Sequence, residues 1–139
     1  MKKVIITIKG DQSVTGEEPE TVEMETDGEY SYTDELIMLE YAESELTGMA
    51  GTVTHFDITP ESVTITRTGT VTMQMVFTEG RKNYFMYATP YGSASMSVDT
   101  RYIRKSLTPT GGDLTVRYLL STDNTVVSKN DIEINVRVM

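Results

Sequence analysis

Apolar and polar residues alternate with a period of two almost from the first position, and that spacing predicts β-strands. Val4, Ile6 and Ile8 share one face, with Lys3, Ile5, Thr7 and Lys9 opposite. Gly10 to Pro19 is rich in turn-forming and acidic residues and predicts a loop. Val22, Met24 and Thr26 then alternate with Thr21, Glu23 and Glu25. Asp27-Gly28 is the strongest short hairpin signal in the chain, because both residue types tolerate positive φ. Tyr30 and Tyr32 would lie on the return strand, and Asp34-Glu35 predicts the next turn. Leu36 to Ala42 is apolar on both faces. A short helix fits that run, but its place between hairpin signals favours a strand. Ser44 to Leu46 is compatible with a helical turn ended by Gly48, and Gly51 punctuates the same connection.

Thr52 to Ile58 predicts a strand and Thr59-Pro60-Glu61-Ser62 a tight turn, with Pro pre-set for its second position. Val63, Ile65 and Arg67 share a face, and Gly69 turns the chain. Val71, Met73, Met75 and Phe77 form an apolar face opposed by Thr72, Gln74 and Thr78. After a turn at Glu79-Gly80, Tyr84, Met86 and Ala88 oppose Asn83, Phe85 and Tyr87. Thr89-Pro90-Tyr91-Gly92 breaks the ladder. Ala94, Met96 and Val98 alternate with serines; Ile103 and Leu107 follow in the phase of Arg101 and Lys105. Pro109 to Gly112 and Asp123-Asn124 are turns around the Leu114, Val116, Tyr118, Leu120 strand. Ile132, Ile134, Val136 and Val138 form a last apolar face.

Roughly ten to twelve short strands with turns every ~8–12 residues define an all-β chain. No helix long enough to cross between parallel strands is predicted, so the topology is an antiparallel meander. A single amphipathic sheet of this length would leave its apolar face wet. It must close into a barrel or fold into a sandwich, and closure also removes the edges. The Val4 strand is therefore expected beside the Ile132 strand.

With 139 residues, one domain spanning 1–139 is expected. The chain has no Cys, which removes disulfides and thiolate metal sites. Val4 to Lys9 is too short for a signal h-region, and no stretch approaches a membrane span, so a cytoplasmic location is expected. The formal charge of −9 comes without a Lys/Arg run. Nucleic acid and anionic membranes are poor partners for such a chain.

Three blocks carry a family resemblance: Tyr41-Ala42-Glu43-Ser44-Glu45-Leu46-Thr47-Gly48-Met49-Ala50-Gly51-Thr52; Arg67-Thr68-Gly69 with Gln74-Met75-Val76-Phe77; and Thr89-Pro90-Tyr91-Gly92. Their order and spacing, from the opening Lys2–Gly10 stretch to the closing strand, resemble the YwiB-like bacterial proteins of unknown function. That resemblance implies a calycin-like, lipocalin-type β-barrel. It implies no activity, since a fold does not specify a site.

A barrel of about eight strands is filled by side chains or holds one small ligand. Arg67 is the residue that bears on the choice. Alternation puts it on the face of Val63 and Ile65, and a buried guanidinium needs a carboxylate or an anionic ligand. Glu40, Glu43 and Glu45 are the candidate partners, and an ordinary internal Arg–Glu pair satisfies the same requirement. Arg101 sits near the Pro90–Gly92 break, where a bulge would turn it outward. Met73, Met75, Met86 and Met96 would line an adaptable wall or simply fill the core. Tyr84, Tyr87, Tyr91 and Tyr118 would anchor a ligand or sit half buried with a wet hydroxyl. His55 is the only His; on its strand face Asp57 follows two residues along. Glu43 and Glu45 at i and i+2 would sit ~7 Å apart, a spacing shared by any such strand pair. No phosphate loop, nucleophile elbow or zinc motif is present.

The expected function is that of a non-enzymatic barrel binding a small apolar or weakly anionic molecule. Arg67, Glu43, Gln74, Tyr87 and Tyr91 would supply polar contacts, with Met73 and Met75 as wall. It requires an interior cavity of ~300 Å³ or more, open at the Glu43/Tyr91 end. The alternative is a scaffold with a solid barrel, acting through the Ser93, Ser95, Ser97 face or the Leu36–Tyr41 run, or as a homodimer. An enzyme would need a titratable pair such as Glu43 with His55. No catalytic residue, metal ligand or cofactor is assigned.

Overall fold

Ten strands account for the chain in a computed structural model that describes residues 1–14, 16–44, 49–122 and 125–139. They are β1 (Lys2–Val14), β2 (Glu20–Tyr32), β3 (Ile37–Ala42), β4 (Val53–Ile58), β5 (Val63–Thr68), β6 (Met73–Phe77), β7 (Lys82–Thr89), β8 (Gly92–Thr108), β9 (Gly111–Thr122) and β10 (Thr125–Val138). All pairings are antiparallel, in the order β6-β5-β4-β3-β2-β1-β10-β9-β8-β7. The expected pairing of the first and last strands is present, with Ile8 opposite Ile134 and Gly10 opposite Ile132. The seam of the barrel therefore lies mid-chain, between β6 and β7.

That seam is nearly closed. Thr72 and Ala88 exchange both backbone hydrogen bonds at 3.0 Å. Lower down, the Asn83 side-chain amide donates to the Val76 carbonyl at 2.8 Å in place of a ladder bond.

Strand register stacks the inward side chains in rows. Ile37, Ile58, Val63 and Phe77 are successive cross-strand partners in the lowest row, and Leu39, Phe56, Ile65 and Met75 form the next. Across the barrel, Val4, Ile6, Leu114, Val116, Ile134 and Val136 complete a dry core. Burial of these side chains is the main favourable term in folding. The lower end is tied across: Tyr30 Oη donates to the Thr108 carbonyl at 2.8 Å, and Lys105 Nζ donates to the Thr59 carbonyl. Burial lowers the Lys105 pKa.

Two loop expectations are corrected. β1 continues through Gly10 to Val14, so the predicted Gly10–Pro19 loop is much shorter. Asp27-Gly28 is no hairpin: Asp27 pairs with Ile5 and Gly28 with Val4 inside β2. Glycine is required there for space. A Cβ at Gly28 would collide with the Glu40 carbonyl oxygen and with Ile6 Cδ1. Strand glycines mark such close approaches as well as turns. The turns at Asp34-Glu35, Thr59–Ser62, Gly69, Glu79-Gly80 and Pro90-Tyr91 fall as expected, and Leu36–Ala42 gives strand β3 rather than a helix. The expected Ser44–Leu46 turn, Gly48 and Asp123-Asn124 involve positions outside the described residues. A register shift between Thr100 and Tyr102 makes Arg101 the extra residue of a bulge. It is exposed, 3.8 Å from Asp99, while Thr100 and Ile103 both stay in register with inward Tyr118 and Val116.

Candidate functional site

One row higher, the inward chemistry changes. Tyr41, Thr54, Arg67 and Met73 are successive cross-strand partners on β3, β4, β5 and β6. The strand period that buries Val63 and Ile65 brings Arg67 to the same face, half buried. Its Nε donates to Thr54 Oγ1 at 3.3 Å, and a terminal nitrogen lies 3.9 Å from Met73 Sδ. Thr54, fully buried, donates its hydroxyl to Glu43 Oε1 at 2.7 Å. Glu43 is itself 7% exposed and is held by its backbone N–H on the Thr52 carbonyl, 2.8 Å. A threonine hydroxyl thus stands between the guanidinium and the Glu43 carboxylate. Burial raises the Tyr41 pKa and nearby Glu43 raises it further, while Arg67 acts in the opposite direction.

The loop segments above this row pack against one another. Thr52 N–H bonds the Met49 carbonyl at 3.0 Å, and Thr52 Oγ1 accepts from Val71 N–H at 3.2 Å. Gly69, at φ +128°, passes so close to the Gly51 carbonyl that a Cβ would not fit.

Above the dry core lies a cavity of about 320 Å³. β5 and β6 contribute Arg67, Met73 and Met75. β7, β8 and β9 contribute Phe85, Tyr87, Met96, Tyr118 and Leu120, and Gln12 and Asn130 stand at its edge. Tyr118 is buried, its ring edge-on to Phe77 with centroids 4.9 Å apart. Burial pushes its pKa up to about 12, with Arg67 acting the other way, so at neutral pH it is a phenol donor. Clefts of about 310 Å³ beside Lys2 and Tyr30 and about 270 Å³ beside Thr59 and Lys105 open at the lower end. The upper cavity differs from them in being walled mainly by inward-facing strand residues.

Of the residues chosen from sequence, Arg67, Met73, Met75 and Tyr87 meet at this cavity. Glu43 is not among its lining residues and connects to it through the Thr54 hydroxyl. Gln74 does not line it: it alternates outward, is exposed and bonds Thr66 Oγ1 at 3.3 Å. Tyr91 does not either, being 99% exposed at the tip of the β7–β8 turn. Met86 also faces out, whereas Met96 faces in. Glu45 lies outside the described residues. The lining side chains missed were Gln12, Phe85, Leu120 and Asn130, with Thr54 beside Arg67; the inward phase of Phe85, Leu120 and Thr54 was visible, but their meeting depends on register across the barrel.

Glu43 and His55 do not pair. Adjacent residues on β4 point to opposite faces, Thr54 in and His55 out. His55 Nδ1 lies 3.0 Å from Glu40 Oε2 and Nε2 lies 2.9 Å from Asp57 Oδ1. Burial lowers its pKa, but hydrogen bonds to Asp57 and Glu40 outweigh that, so the net shift is upward. Among the described residues no group of His, Asp and Glu is arranged to hold a metal. No helix there is long and apolar enough to cross a membrane.

The fold and cavity define a class: an antiparallel ten-stranded barrel, nearly closed, with a dry-packed lower core and an open cavity lined by inward-facing residues above it. The chain belongs to the family described as "Domain of unknown function (DUF1934)", which matches residues 6–134. It is similar in structure to the ywiB protein from Bacillus subtilis, with a TM-score of 0.88 and 19% identity over 99% of this chain and 92% of that one. That likeness shows the fold. A comparison with curated proteins returned no match.

Proposed function

We propose that this protein is a non-enzymatic, cytoplasmic binding barrel. It holds one small apolar or weakly anionic molecule in its upper half, in the calycin-like manner. The observation that carries this reading is the 320 Å³ cavity, walled by Met73, Met75, Phe85 and Leu120 and carrying Arg67 on one side. An apolar pocket with a few convergent polar groups is the usual form of a small-molecule site, and ~300 Å³ is the lower bound of the common size range. Native mass spectrometry on protein purified without denaturation tests it. A bound small mass is expected in the wild type, lost in Arg67→Ala and in Met96→Trp, which fills the cavity. Repeated absence of such a mass, with no thermal shift from small apolar acids, would reject the reading.

One observation favours a second reading, the scaffold or homodimer. Tyr84 is 71% and Met86 56% exposed on β7, where Met86 pairs with exposed Ser95; Ser97, opposite Tyr84, is only 4% exposed, so the expected serine face is open at Ser93 and Ser95 alone. Exposed apolar side chains gathered on one face suit an interface. A rise in sedimentation coefficient with concentration, abolished by Tyr84→Lys, would support it.

A further inference from the structure

We infer that the cavity selects monocarboxylates with a compact apolar or aromatic body, bound head inward so that the carboxylate bridges the Arg67 guanidinium and the Tyr118 hydroxyl. This rests on the ligand-binding reading and adds the ligand's chemical class and its pose.

Two donors converge on the space. Among the described residues the Arg67 guanidinium contacts Thr54, Tyr41 and the Met73 thioether, all neutral. A thioether is a weak acceptor, so an N–H facing it gains by meeting an oxyanion. Tyr118 is 8% exposed, and among the described residues its hydroxyl has no hydrogen-bond partner although the side chain lines the cavity. Packing of its ring against Phe77 fixes its direction. Thr100 Oγ1 is the one fully enclosed side-chain oxygen without a partner among the described residues, so the Tyr118 hydroxyl is open to the cavity, where a bound oxyanion would take the place of water.

Charge limits the head group to one negative charge. Arg67 is the one cationic residue among the described lining residues, and Glu43 shares its field through Thr54. The whole chain carries −9. A dianion would bring uncompensated charge into a low-dielectric space. The wall limits the body: methionines, Phe85 and Leu120 offer sulfur and ring contacts but few polar ones. A cavity at the small end of the ligand range holds one or two rings, while a long acyl chain would project out.

The test uses the full chain and four probes: 2-naphthylacetate, its methyl ester, 2-naphthaleneethanol and 2-naphthyl phosphate, titrated by calorimetry. The acid is expected to bind about tenfold or more tighter than the ester and the alcohol. Tyr118→Phe deletes one oxygen and keeps the ring against Phe77. It is expected to weaken the acid by about tenfold and leave the ester unchanged. Arg67→Gln is expected to abolish the preference for the acid. Equal binding of acid and ester, a preference undiminished by Tyr118→Phe, or tighter binding of the phosphate would overturn the class and pose while leaving the cavity reading intact. No binding of any probe, together with no co-purifying mass, would overturn both.

Discussion

The lower and upper halves of the barrel are built from the same strands and end differently. On β3 to β6 the first two inward rows are Ile, Val, Leu, Phe and Met, with one row change to Tyr41, Thr54, Arg67 and Met73. Below, the rows interdigitate and the end is tied by Tyr30 and Lys105. Above, one polar row sits beneath a 320 Å³ cavity. Dry packing below supplies stability, and that leaves the upper rows able to carry a guanidinium and empty space that a solid barrel would exclude.

Equal deletions in the two halves should therefore cost unequal amounts. Ile58 is 2% exposed and sits between Ile37 and Val63 in the lowest row. Ile58→Ala is expected to cost about 3 kcal/mol, the middle of the range for a buried aliphatic residue. Met96 is half buried and faces space that already exists. Met96→Ala should cost about 1 kcal/mol or less, because few packing contacts are lost. Urea unfolding of both variants measures this. Equal losses would mean that the upper half is as tightly packed as the lower.

A smaller effect is expected at the boundary between the halves. Thr100 is fully buried and its hydroxyl has no partner among the described residues. Its cross-strand neighbour is Tyr118. Thr100→Val removes the orphaned oxygen and keeps the branched shape. A gain of about 1 kcal/mol is expected, since an unsatisfied buried hydroxyl costs about that much. A loss on the same denaturation curve would show that the boundary is wetter than the packing implies.

Most of the fold was legible because two signals repeat: period-two alternation, and Gly, Pro and Asp at the breaks. The meander, the β1–β10 pairing and the inward side of Arg67 follow from those alone. Gly28 was misread because the same residue serves two ends. A turn needs glycine for positive φ, whereas β2 needs it to let Ile6 and the Glu40 carbonyl approach, and only tertiary register separates the cases. Gln74 was legible and misplaced: its opposition to Met73 and Met75 puts it outside. Tyr91 belongs to a turn, where alternation has no authority. Thr54 beside Arg67, and Tyr118 across from it, depend on register and barrel closure, which no local pattern encodes.

The faintest contrast runs through the wall itself, between inner and outer charge. On β4, Thr54 faces Arg67 inside while His55 faces Glu40 and Asp57 outside, with Thr66 its neighbour on β5 and Met38 beside Asp57. The folded-state pKa of His55 is raised above its ordinary 6.5. The imidazolium therefore stabilises the fold fully below about pH 6.5, and that contribution is lost as pH rises through the folded-state value. The cluster is partly exposed, so the loss should stay below about 1 kcal/mol. Unfolding midpoints between pH 6 and 9 should fall slightly in the wild type, and this component should vanish in His55→Gln. Binding of a neutral ester probe should stay flat over the same range if the wall insulates the cavity from the cluster. A binding curve that followed the His55 titration would join the two faces electrically and end the separation of inside from outside.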